Sequence, residues 1–155
     1  MEYPALEILK QTDALIWARE KDQLRALALL SMLSATEPRL AETPHMLVFE
    51  RLEAAVQTGS YFLLYEKAGK DGMLAVPVGF VLYGRLSRYA AQVYANGLRP
   101  LRKDELSNGS RSWLLELVSH FGHKQDMLAY LKEMLPAPLH VLRADADQIT
   151  VVEMP

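Results

Sequence analysis

The chain has 155 residues, half of them hydrophobic and 23% charged, the size and composition of one globular domain with one core. Its net charge of -2 gives no general pull toward nucleic acid, and the absence of cysteine excludes disulfides, thiolate metal sites and a cysteine nucleophile. Met-Glu-Tyr-Pro at the start is no signal peptide, and the longest apolar stretch, Ala26 to Leu33, falls far short of the ~20 residues that span a bilayer. A cytoplasmic protein without stable membrane insertion is therefore expected.

From Ala5 to Leu33 the apolar residues Leu6, Leu9, Ile16, Leu24, Leu27 and Leu30 recur at three- and four-residue steps. This predicts helix, either one long element or two short ones restarted at Thr12-Asp13. Ser34 to Pro44, with Thr36, Pro38 and Pro44, reads as a connector. Thr43-Pro44 opens a second helix, with Thr43 as cap and Pro44 at the first helical position. Leu47, Leu52, Ala55 and Val56 form its buried face, and Gly59 ends it. The period then changes. Tyr61–Tyr65 and Val76–Tyr83 are rich in aromatic and β-branched residues around the Asp71-Gly72 turn signal, which predicts an antiparallel hairpin.

Leu86 to Tyr94 reads as a short helix closed by Asn96-Gly97, Arg111 to Val118 as a buried strand, and Lys124 to Leu135 as a helix stopped by Pro136. Leu139–Arg143 and Ile149–Glu153 read as two final strands around the Ala144–Asp147 turn. Helices first, then strands with interspersed helices, predict a single α+β domain with a mostly antiparallel sheet flanked by helices. No phosphate-binding glycine loop and no nucleotide fingerprint is present.

The run Gly109 to Gly122, GSRSWLLELVSHFG, resembles the signature of the RTX toxin-activating acyltransferases: G-x-R-x-W, an apolar strand carrying an acidic residue, and a turn ending in Phe-Gly. Tyr130 and Pro136 fit the helix that follows in that family, and His140 to Arg143 the next strand. Upstream, Leu6–Leu9 and Trp17-Ala18 match its opening helix, Gly59–Leu64 its first strand, and Pro77–Phe80 the start of its second. The resemblance is colinear over most of the chain, strong from Val78 to Arg143 and patchy between Arg19 and Ala54. It implies a GNAT-like fold and transfer of a fatty acyl group from acyl carrier protein to internal lysines of a protoxin. The acyl donor is then a phosphopantetheine thioester, and no bound cofactor or metal is expected.

Lysine acylation needs a route for the amine proton and donors for the oxyanion, and histidine suits the base by its near-neutral pKa. By the resemblance, His45 is the catalytic histidine at a helix start, and Glu116 stands where the family has an aspartate. A gap-free match after Trp17-Ala18 places Gln23 at the histidine position instead. From the residues alone, Glu116 also fits the outward face of an alternating strand. Arg111, Trp113, Phe121, Gly122 and Lys124 are assigned to the acyl and pantetheine arm, with backbone N–H groups of the strand-to-helix turn and Lys124 facing phosphate. His120 and His123 do not make a zinc set on their own. The expected partners are acyl carrier protein and the protein substrate, with a homodimer through Met46, Leu47 and Phe49 also open. A relative that binds without catalysing, and an N-acetyltransferase using acetyl-CoA, are the competing readings.

Overall fold

The first residues behave differently from the helical expectation. In the computed structural model, which describes residues 3–96, 99–119, 122–136, 138–145 and 148–154, and side chains to residue 141 except that of Arg39, they form two strands. β1 (Leu6–Gln11) and β2 (Leu15–Glu20) pair as an antiparallel hairpin. Thr12 does not cap a helix. Its N–H donates to the Leu15 carbonyl at 2.8 Å and its hydroxyl accepts the Leu15 N–H at 3.1 Å, closing the hairpin turn. The opening-helix match of Leu6–Leu9 and Trp17-Ala18 is therefore corrected to strand.

Helix begins only at α1 (Gln23–Ser34), where Asp22 Oδ1 accepts the N–H groups of Leu24 and Arg25 at 2.9 and 3.3 Å. The connector contains a short α2 (Pro38–Ala41). α3 (His45–Thr58) starts one residue later than predicted, with Pro44 rather than Thr43 at the cap position, and ends at Gly59 in the left-handed conformation. Leu52, Ala55 and Val56 are buried as expected, and Leu47 half-buried. β3 (Tyr61–Ala68) and β4 (Leu74–Leu86) form the predicted hairpin, longer at both ends, around a tight turn at Lys70–Gly72. α4 (Arg88–Asn96), β5 (Arg111–Ser119), α6 (Lys124–Met134), β6 (Leu139–Asp145) and β7 (Gln148–Met154) match their predicted places, and a further short helix, α5 (Lys103–Ser107), precedes β5. Gly97, Ala146 and Asp147 of the predicted turns lie outside the described residues.

The strands make one seven-stranded sheet in chain order, β1 to β7. Every neighbouring pair is antiparallel except β5 with β6, which α6 bridges. Alternation on β3 shows how both faces are buried. Tyr61, Leu63 and Tyr65 face the layer of α1 to α5, whereas Phe62 and Leu64 face α6 with Met127, Tyr130 and Leu131. The α+β expectation with flanking helices therefore holds. No helix among the described residues is long and apolar enough to cross a membrane.

Two charged residues within this frame are held by specific partners. Glu20, buried at the end of β2, accepts the Tyr65 hydroxyl at 2.5 Å and lies 3.3 Å from Arg25 Nε. Burial, with Glu20 as hydrogen-bond partner, pushes the Tyr65 phenol up, and burial pushes Tyr61 up to about 12. Glu105 on α5 accepts two hydrogen bonds from Arg99, at 2.7 and 2.9 Å, and the Arg102 N–H at 3.0 Å. The Arg99 bonds in particular lower its pKa from 4.5 to about 2. A depressed folded-state value means that this contact stabilises fully above the unfolded value and is lost as pH falls through the folded one. A carboxyl NMR titration should therefore show Glu105 charged until pH approaches 2, with its share of stability lost between 4.5 and 2. A midpoint at 4.5 would show that the pair does not form in solution.

Candidate active site

Glu116 lies in the middle of β5 and is only 3% exposed, so it is not on an outward strand face. Both faces of β5 are covered, and a bulge decides which of them Glu116 takes. In the β4–β5 ladder Leu82 faces Glu116 while Tyr83 faces Leu114, which leaves Leu115 as an extra residue. Trp113 and Leu115 face the α1–α5 layer before the bulge, and Val118 faces it afterwards. One inserted residue shifts the alternation, and Glu116 turns to the helical side with Val118.

Its carboxylate accepts a hydrogen bond from the Tyr94 hydroxyl at 2.9 Å, and Arg51 Nη1 lies 3.9 Å away. Arg51 is itself fixed by Tyr94: Nη2 donates to the Tyr94 carbonyl at 2.9 Å and the guanidinium sits 4.2 Å from the ring centroid. Such stacking suits a planar guanidinium. One residue each from α3, α4 and β5 thus interlock beneath the helical layer. Sequence reading assigned neither Arg51 nor Tyr94 to the site. The signal for Arg51 was present, because Val48, Arg51, Leu52 and Ala55 follow one helical face, and an arginine on a core-facing stripe needs a buried partner.

Two cavities meet beside this cluster. The inner one, about 10 Å³, touches Arg51, Tyr94 and Glu116, and is about the size of one water. The outer one, about 320 Å³, lies between α1, α2 and α3 and is lined by His45. Ser34, Leu40, Val48 and Leu52 form walls of both. His45, the exposed first residue of α3, and Glu116 therefore border adjoining chambers. Gln23, the other position for the histidine, is the exposed first residue of α1 and borders neither chamber.

The G-x-R-x-W residues converge elsewhere, on Leu86 at the end of β4. The Gly109 N–H donates to the Arg85 carbonyl at 2.8 Å, and a Cβ at Gly109 would fall inside the Leu86 backbone. Arg111, exposed, is the register partner of Leu86, and the wholly buried Trp113 donates its indole N–H to the Leu86 carbonyl at 3.3 Å. The Trp113 ring also lies against buried His140, centroids 4.9 Å apart.

At the β5–α6 corner, Phe121 and His120 lie outside the described residues. Gly122 has φ +79 with open space where a Cβ would stand, and Lys124 is the exposed first residue of α6. His123 between them is 2.6 Å from Glu66 Oε1 and 3.7 Å from Asp126, and its N–H donates to Ser119 Oγ at 3.2 Å. That corner therefore carries two carboxylates as well as Lys124. Among the described residues, no group of three or more histidine or acidic side chains is placed to hold a metal ion.

Residues 19–149 match the RTX toxin acyltransferase family. The chain belongs to that family. The matched range takes in α3 with His45, β5 with Glu116 and all of α6, and leaves out β1 and most of β2. A leukotoxin-activating lysine-acyltransferase, LtxC of Aggregatibacter actinomycetemcomitans, is 28% identical over 85 residues, which is 55% of this chain. The match covers 46% of that relative, so the chain spans about half its length. Within the matched range, Glu116 on β5 is engaged by Tyr94 and Arg51.

Proposed function

We propose that this chain transfers a fatty acyl group from the phosphopantetheine thioester of acyl carrier protein to an internal lysine of an RTX-type protein, in the cytoplasm. The observation that carries the reading is the placement of Glu116, turned by a bulge onto a cavity system that His45 also lines. A GNAT-like reading of the fold goes with it, supported by consecutive antiparallel strands with one parallel pair, β5–β6, bridged by a helix. That parallel pairing runs only from Ser112–Leu139 to Leu114–Val141, and Glu116 lies past its end. The pantetheine arm would approach there, along the corner of Gly122 and Lys124, at the opposite end of β5 from Arg111 and Trp113.

In the reaction the neutral lysine nitrogen attacks the thioester carbonyl carbon, and the carbonyl electron pair moves onto oxygen. That pair returns as the C–S bond breaks. His45 takes the proton from nitrogen and returns it to the leaving sulfur, so amine and thioester become amide and thiol. Glu116 opposes the positive charge that develops during attack, in a site where burial strengthens the interaction. Tyr94 and Arg51 fix its direction.

One observation favours a second reading, a family member that binds without catalysing: the Glu116 carboxylate is buried and already engaged by Tyr94 and Arg51. Mass spectrometry of an RTX-type protein after incubation with acyl-ACP and this chain separates the two. A lysine mass increase is expected, reduced about 10²-fold or more in His45→Ala. Full activity of His45→Ala would remove histidine from the mechanism. Tight partner binding without acylation would favour the binding module, and transfer from acetyl-CoA alone would point to an N-acetyltransferase.

A further inference from the structure

The outer cavity has a property that a proton-transfer role for His45 does not require. Its walls are mostly apolar, formed by Ala35, Ala41, Leu40, Val48, Phe49 and Leu52, with Ser31, Ser34 and His45 as the polar members. Of its two serines, Ser34 is committed to the Leu30 carbonyl at 2.7 Å. A peptide or sugar would find few groups there to replace its bonds to water, and an apolar chain would need none. At about 320 Å³ it is far larger than the one-water chamber beside it and has room for several methylene groups. Near the cavity, Met32 on α1 and Met46 and Phe49 on α3 are exposed, at 66%, 68% and 41%. Flexible methionines suit the mouth of a site that admits chains of differing length.

We propose that the cavity between α1, α2 and α3 receives the distal part of the acyl chain and limits its length. Buried Leu40 and Leu52 close the far end and set the limit, while Ala35, Ala41 and Phe49 line the rim. This inference rests on the acyltransferase reading. An acyl chain is favoured over a second copy of the protein because the feature is a concavity. Its floor is closed by buried Leu40 and Leu52, and it shares walls with the chamber holding Glu116.

The test compares butyryl-, octanoyl- and dodecanoyl-ACP as donors for the wild type and Ala41→Phe, with direct binding of dodecanoate by calorimetry. Ala41 is exposed at the end of α2, so the larger side chain can enter the cavity without disturbing the core. In the wild type, kcat/KM should rise about fourfold per added methylene until the cavity is full, the equivalent of ~0.8 kcal/mol per buried CH₂. In Ala41→Phe the dodecanoyl-to-butyryl ratio should fall about tenfold or more, and dodecanoate binding should weaken in step. An unchanged ratio with unchanged dodecanoate binding would overturn the inference while leaving the transferase reading in place. If no donor is used at all, but dodecanoate binds the wild type and is lost in Ala41→Phe, the cavity stands and the transferase reading fails. Conversion of a wild-type dimer to a monomer by Ala41→Phe, without any change in donor preference, would assign the cavity to an interface and overturn the proposal.

Discussion

Glu116→Gln is expected to lower acyl transfer by about 10²- to 10⁴-fold while the protein remains folded. The amide keeps the shape of the carboxylate and still offers an oxygen to the Tyr94 hydroxyl, which lies at 2.9 Å in the native site. What it removes is the negative charge. Removing one partner of a buried ion pair ordinarily leaves the other uncompensated. Here Arg51 retains the Tyr94 carbonyl at 2.9 Å and the Tyr94 ring, so the loss of stability should be smaller than for a pair without further contacts. Thermal unfolding followed by circular dichroism, beside the acylation assay, separates the effects. Wild-type turnover in a folded Glu116→Gln protein would show that the charge is not used and would support the binding-module reading. Glu116→Asp is shorter by one methylene and should lose the Tyr94 hydrogen bond, so it should fall between wild type and Gln.

The misread and well-read parts of the chain differ in a definite way. Where a strand alternates cleanly between two buried faces, as in Tyr61–Tyr65, its aromatic and β-branched content was readable and the hairpin was predicted. The first hairpin was read as helix because of how its apolar residues are spaced. Leu6 and Leu9 stand three apart, like neighbours on a helix, yet the alternation of a strand puts residues three apart on opposite faces of the sheet. Ile16, Trp17 and Ala18 are all buried because β2 is covered on both sides, so no alternation marks them as strand. Thr12-Asp13 suits a hairpin turn as well as a helix cap, since both use a short polar side chain to bind nearby backbone.

Glu116 was legible as a position and illegible as an orientation. The strand is covered on both faces, and the extra residue at Leu115 decides which of them Glu116 takes. A bulge leaves no reliable mark in a single sequence, because it is defined by the partner strand. Arg51 was legible as a buried arginine but its partners were not: its meeting with Tyr94 depends on α3 and α4 both lying over β5, which no local pattern encodes. The helix start at His45 was legible because a proline before a helix start is a local signal.

Gly109→Ala is expected to destabilise the protein by about 3 kcal/mol or more, the largest effect expected for an added methyl group at any glycine among the described residues. The glycine is needed for close approach rather than for an unusual backbone angle: an added Cβ would fall within the Leu86 main chain, which unlike a flexible side chain cannot rotate away. Arg85 and Leu86 are in turn held by the Gly109 N–H, by the pairing of Leu86 with Arg111 and by the Trp113 indole N–H, so relieving the overlap would disturb all three contacts. At this chain length each kcal/mol corresponds to roughly 2–4 °C, which puts the expected fall in Tm at about 6–12 °C. Ser110→Ala, one residue on and clear of this overlap, is the control and should stay within about 0.5 kcal/mol. An unchanged Tm for Gly109→Ala would show that the end of β4 yields at little cost. If the fall is observed, the glycine, arginine and tryptophan of the motif act as a clasp that fixes the start of β5 against β4, and the bulge that turns Glu116 inward is held in place from that end.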